Sequence, residues 1–324
     1  MGSGNRTSVR IVGLLAFAVL LAAAVVASIA IGARDLPLGV VWEALRERGG
    51  TDEAAGIVHG LRIPRTVLGL MVGAAIGAAG ALSQGHTRNP LADPGILGVY
   101  LLNITSPMQY TWFGLLGAVV AAGLVFYFAS LGRGANPLTL ILAGTGLTAV
   151  LVAITSAIVL IDTASLDAWR FWQVGAVSGR GWDVIYAAAP FIAAGAVLAI
   201  ASGRHLNVLA LGDDVASALG SRIGVSRTVG VVAITLLVGA ATAACGPIVF
   251  LGLIAPHIAR FVTGPDYRWI VPYSALIGSV VLLWCDVLGR VVARPGELQV
   301  GIVVAAVGSP FFIVLIRARN PVSV

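Results

Sequence analysis

GRHLNVLALGDDVASALGSRIGVSR, residues 203–227, is a polar island between two long apolar runs, Val184–Ser202 before it and Thr228–Ala259 after it. Runs of that length and composition belong in a lipid bilayer, where backbone groups must be satisfied inside the segment, so the flanks are predicted to be membrane helices. Within the island Gly212 precedes Asp213 and Asp214, then come Val215, Ala216, Ala218 and Leu219, and Gly220 closes the segment. That order predicts a short helix. Acidic residues at its start suit free N–H groups and the helix dipole, glycines bracket both ends, and Val215, Ala218 and Leu219 share a face. A helix of two turns is not stable alone in water, so this face is expected to dock on something. An ordinary cytoplasmic loop is the competing reading.

Composition agrees with the flanks. Hydrophobic residues make up 58% of the chain and charged residues 10%, with mean hydropathy +0.98, against roughly 25% charged in soluble domains. The fold class expected is all-α, a polytopic bundle forming one transmembrane domain over residues 1–324, placed in the cell membrane. All 20 basic residues are Arg. Without Lys the phosphate-binding pattern GxxxxGK[ST] cannot occur here, so any ATP hydrolysis belongs to another subunit. Cys245 and Cys285 lie in apolar runs without metal-ligand or CxxC spacing and read as packing residues. The four histidines (59, 86, 205 and 257) show no pairing at i and i+4, and His257 reads as a boundary residue. No nucleophile, paired carboxylates or metal cluster stands out. No catalytic residue, metal site, cofactor or nucleic-acid partner is therefore expected.

Outward from the island the remaining spans follow in turn. Arg6 and Arg10 precede an uncharged run, Ile11–Ile31, read as a retained first span rather than a cleaved signal peptide, whose apolar part is shorter. Residues 33–61 are mixed in charge and belong outside. LRIPRT, residues 61–66, leads into the second span, with Pro64 in its first turn and Arg62 and Arg65 on one side. Gly69, Gly73 and Gly77 make two overlapping GxxxG steps for close helix packing. QGHTRNPLADPGILG, residues 84–98, holds turn signals. From Gly95 to Tyr110 a helix would cover only about 24 Å, short of the roughly 30 Å bilayer, so the third span is short or doubtful.

Phe113–Gly132 and Pro137–Ile161 form a hairpin of spans. Residues 162–183 hold Trp169, Trp172 and Trp182, which suit a membrane interface. Thr228–Ala259 is too long for one span and too short for two, and Gly246-Pro247 predicts a break within it. Trp269–Cys285 and Val300–Ile316 complete about ten crossings, with both termini cytoplasmic. The arginine distribution supports that orientation only slightly.

Four stretches, taken together, resemble one family: 61–99, LALGDDVASALG at 209–220, GPIVFLGLIAPHIAR at 246–260 and VGSPFFIVLIR at 307–317. They are similar to the FecCD-type permeases that import ferric siderophores, haem and cobalamin, the membrane subunits of type II ABC importers. After Val99 the chain departs from the family by being shorter, which touches the third span. The resemblance implies a carrier that catalyses no chemistry itself. It also implies a second permease subunit, identical or paralogous, cytoplasmic ATP-binding subunits and an extracellular substrate-binding protein as partners. Gly212, Asp213, Asp214, Ala216, Ala218, Leu219 and Gly220 match the helix that couples to the ATPase. Arg62, Arg65 and Arg290 match the arginines on which the binding protein docks, and are expected to form a basic rim around the entrance. The external segment 162–183 would lie near the mouth of the pathway. An ion-driven secondary transporter is the alternative from another class; it would place ionisable groups deep in spans, and Asp286, the one acidic candidate, is placed at the outer border. A non-conducting partner subunit is a further alternative.

Overall fold

The computed structural model describes residues 3–46, 53–87, 107–131, 137–161 and 172–318. Helix α1 (Ser3–Ala30) is followed by two short helices, α2 (Leu38–Arg46) and α3 (Glu53–Ile57), in the section expected to lie outside. A π-helical turn, Val58–Arg62, feeds into α4 (Ile63–Thr87). Then come α5 (Pro107–Ser130) and α6 (Pro137–Ile161), the expected hairpin. They are followed by α7 (Trp182–Leu209), α8 (Asp213–Ala218), α9 (Ile223–Cys245), α10 (Leu251–Thr263), α11 (Tyr267–Val292) and α12 (Val300–Ala318). Among the described residues five helical stretches are long and apolar enough to cross a membrane: Thr7–Ala30, Glu53–His86, Trp182–Leu209, Ile223–Cys245 and Tyr267–Val292. The doubtful third span falls largely outside the described residues; its last residues enter α5, where Pro107 occupies the first turn, a place that needs no N–H.

Helix α4 is the centre of the bundle. Its apolar window is 78% buried against 11% for α1, so α4 packs on protein all round while α1 lies at the periphery. Small residues make this possible. A Cβ added at Gly73 would lie 2.6 Å from Ser279 Cα, and one at Gly77 would overlap the Ser274 carbonyl, so α4 and α11 touch backbone to backbone. Ser279 Oγ donates to Leu70 O across the contact (2.8 Å). Where apolar surroundings offer no hydrophobic drive, such close van der Waals contact is what holds helices together.

The run after the island is broken as expected, with α9 ending at Cys245 and α10 starting at Leu251. Gly246 has φ 75° and Phe250 φ 68°, both left-handed, which turns the chain sharply. At the break, Ala176 N donates to Cys245 O (2.7 Å) and Gly246 N to Thr242 O (2.7 Å), while the neighbouring Gly175 O accepts from Gly301 N at the start of α12 (3.0 Å). Inside α10, Pro256 cannot donate to Gly252 O, and Gln84 Nε2 from α4 does so instead (3.2 Å). His257, buried, shares a hydrogen bond with Leu253 O through Nδ1 (2.8 Å). Cys245 and Cys285 are buried thiols without a disulfide.

Candidate functional site

Two polar clusters sit at opposite ends of the bundle. At one end α8 is held as a compact bracket. Gly212, at φ 109°, makes a turn that side chains resist, and Gly220 (φ 77°) closes the helix. Ser221 N donates to Ala216 O (3.0 Å) and Gly220 N to Ser217 O (2.9 Å), the paired bonds of a Schellman ending. The Asp213 carboxylate, in the first turn, accepts from Arg227 Nη2 (2.8 Å), which ties α8 to α9. Ala216, one of the residues matched to the coupling helix, is fully buried against the chain's own bundle. The outward face is Val215, Ala218 and Leu219, with Val215 46% and Leu219 63% exposed, large apolar groups left uncovered. Beside Leu219 opens a cavity of about 510 Å³ lined by His86, Ser202, His205 and Arg222 among others.

The same end is pinned by Asp266, the N-cap of α11. Its side chain accepts from Arg268 N (3.0 Å) and from Asn207 Nδ2 at the end of α7 (2.6 Å), and it pairs with the Arg268 guanidinium. Hydrogen bonding from Arg268, aided by Asn207, lowers its carboxyl pKa to about 2. Arg260 completes the cluster, donating to Gln84 Oε1 (2.7 Å) and Tyr267 OH (3.2 Å).

At the other end the structure brings Arg62, Arg65 and Arg290 together, from the π-helical turn, α4 and α11. Arg62 donates to Ile29 O, Ala30 O and Arg34 O (2.7–2.9 Å). Arg290 donates to Ser28 O, Ile31 O and Ser28 Oγ (2.7–3.0 Å) and to Asp286 Oδ2 (2.9 Å). The last carbonyls of α1 lack partners within the helix and carry its negative dipole end, so buried cations suit them. The expected open basic rim is therefore corrected: Arg62 is 4% and Arg290 1% exposed, both turned inward. Arg65 alone reaches the edge. It grips Asp286 through Nε and Nη2 (2.7–3.1 Å) and Glu297 through Nη1 (2.7 Å). Asp286, expected at the border, is 1% exposed and shared by two guanidinium groups. Glu297 was not singled out from the sequence, and its distance along the chain from Arg65 hides the pairing. Among the described residues no group of His, Cys, Asp and Glu could hold a metal ion.

Apolar helices packed through glycines, with charges gathered at the two ends, define an integral membrane protein. The FecCD transport family model matches residues 20–318, and the chain belongs to this family. It is 41% identical to the ferric enterobactin transport system permease protein FepD of Escherichia coli (strain K12), with 98% of each chain covered. It is 37% identical to the probable siderophore transport system permease protein YfiZ of Bacillus subtilis (strain 168), over 92% of this chain and 93% of that one. It is 34% identical to the cobalamin import system permease protein BtuC of Halobacterium salinarum, over 93% and 86%. A solved structure reported as a metal-chelate type ABC transporter in an inward-facing conformation superposes with TM-score 0.78 at 26% identity, covering 94% of this chain and 99% of that one.

Proposed function

We propose that the chain is the permease subunit of an ATP-binding-cassette importer that takes up an iron–siderophore or a related metal chelate. The transport class of its relatives supports this, since those named above carry ferric enterobactin, siderophores or cobalamin. The chain works as a carrier beside a second permease copy or paralogue. ATP is hydrolysed on separate cytoplasmic subunits, a division supported by the absence of Lys, and hence of the phosphate-loop pattern, from these 324 residues. Family membership favours this reading over an ion-driven secondary transporter, and buried Asp286 lies in an ion-paired cluster at one end rather than alone within a span.

The observation that carries the proposal is α8, a rigid two-turn helix that shows Val215, Ala218 and Leu219 outward. Such a face seats in a groove of the ATP-binding subunit and passes its movement to the bundle through Ala216 and the Arg227–Asp213 pair. Replacing Ala218 or Leu219 with Asp would bury an unpaired charge at that contact, at a cost of about 2 kcal/mol or more, roughly thirty-fold in affinity. Purified complex with Leu219→Asp is expected to lose its ATPase subunit or its substrate-stimulated hydrolysis. Normal assembly and transport in that variant would overturn the assignment. The opposite end, around Arg62, Arg65 and Arg290, receives the extracellular binding protein. Arg65 makes the charged contact while Arg62 and Arg290 hold the platform by fastening the end of α1. Docking of this kind slows as ionic strength rises.

A further inference from the structure

Arg65 divides its guanidinium between two carboxylates of different standing. Asp286 is deeply buried, takes Nε and Nη2, and also receives Arg290, so removing it from Arg65 would strand buried charge. Glu297 takes only Nη1 and is 32% exposed, in the turn between α11 and α12. Water can receive its carboxylate readily if another acid takes its place, because an ion pair open to solvent is weak.

We propose that Glu297 is an internal stand-in for a carboxylate of the extracellular binding protein. It occupies Arg65 Nη1 in the undocked permease and gives it up on docking, while Asp286 keeps the guanidinium aimed outward. This rests on the reading of that end as the docking face. A second carboxylate arriving at Nη1 meets like-charge repulsion from Glu297, which favours exchange over sharing. The exchange also reaches beyond the surface. Leu298 N donates to Gly289 O (3.2 Å), Ser178 Oγ donates to Gln299 Oε1 (3.3 Å), and Gly301 N donates to Gly175 O (3.0 Å). Ala176, next to Gly175, in turn donates to Cys245 O at the end of α9 (2.7 Å). Docking thus releases one of two charged ties of this turn, the other being Arg294 to Asp35 (2.8 Å), and so loosens a turn that is bonded through Gly175 to the neighbourhood of the α9 end.

The test measures association of the system's purified binding protein with the permease–ATPase complex in nanodiscs, for wild type, Glu297→Gln, Arg65→Gln and the double variant. Size-exclusion chromatography first establishes that each complex assembles. Removing an internal competitor of an exposed pair is expected to tighten docking about three-fold in Glu297→Gln. Arg65→Gln is expected to weaken it, and adding Glu297→Gln on that background should change nothing further. A merely structural Glu297 would give no such dependence on Arg65. Unchanged or weaker docking in Glu297→Gln, with Arg65→Gln impaired, overturns the stand-in and leaves the docking face intact. Unchanged docking in Arg65→Gln overturns the docking face, and the stand-in with it.

Discussion

Asp286 supplies one negative charge to two guanidinium groups, Arg65 and Arg290, the second of them 1% exposed. Asp286→Asn keeps the shape and removes the charge, leaving a buried cation uncompensated, and is expected to destabilise the protein by about 3–5 kcal/mol. A lowered thermal midpoint of the purified protein in detergent would register it. Asp266 behaves differently because it lies at the polar margin. Its pKa is lowered from 3.8 to about 2, so its bonds to Arg268 and Asn207 contribute fully above the unfolded value and are lost as pH falls through the folded one. The α7–α11 clamp is therefore expected to loosen between about pH 4 and pH 2, and Asp266→Asn to remove that acid dependence, with amide exchange at residues 266–270 as the readout. The i,i+4 spacing of Asp286 and Arg290 lies open in the sequence. The partners of Arg65 do not: they are 221 and 232 residues away, and no periodicity encodes a contact between separate helices.

The glycine steps of α4 were legible as packing because GxxxG places every small residue on one stripe, whatever the neighbour. Gly77→Ala drives a methyl into the Ser274 carbonyl, which is backbone and cannot swing aside. The variant is expected to push α4 from α11 and cost about 1–3 kcal/mol. Gly123→Ala in α5, where an added Cβ meets nothing within 4 Å, is the control and should be neutral or slightly stabilising through helix propensity. Denaturant-dependent loss of helix, followed by circular dichroism for both variants, separates the two. Span ends were less legible. Helix α7 runs on to Leu209, past the expected end at Ser202, because Ser202, Leu206 and Leu209 stay buried while Arg204 and His205 face outward. An amphipathic continuation does not register as an apolar run. Helix α11 likewise extends to Val292, with Asp286 and Arg290 inside it, because each charge finds its partner in the bundle.

The whole molecule has a direction that charge counts barely indicated, and labelling can fix it. On a background lacking Cys245 and Cys285, Leu211→Cys beside α8 is expected to react with an impermeant thiol reagent only from the cytoplasm. Gly296→Cys, in the turn that carries Glu297, should react only from outside; the reverse pattern would turn the proposed assembly upside down. Between those two positions α4 and α11 touch backbone to backbone at Gly73 and Gly77. Two helices in such contact resist shear and act as one girder, roughly 37 Å long over the 25 residues of α4. One end of this girder bears Arg65 and Asp286; the other bears Gln84 and Tyr267, which share Arg260. A displacement imposed at Arg65 is consequently delivered at Tyr267 with little absorbed on the way.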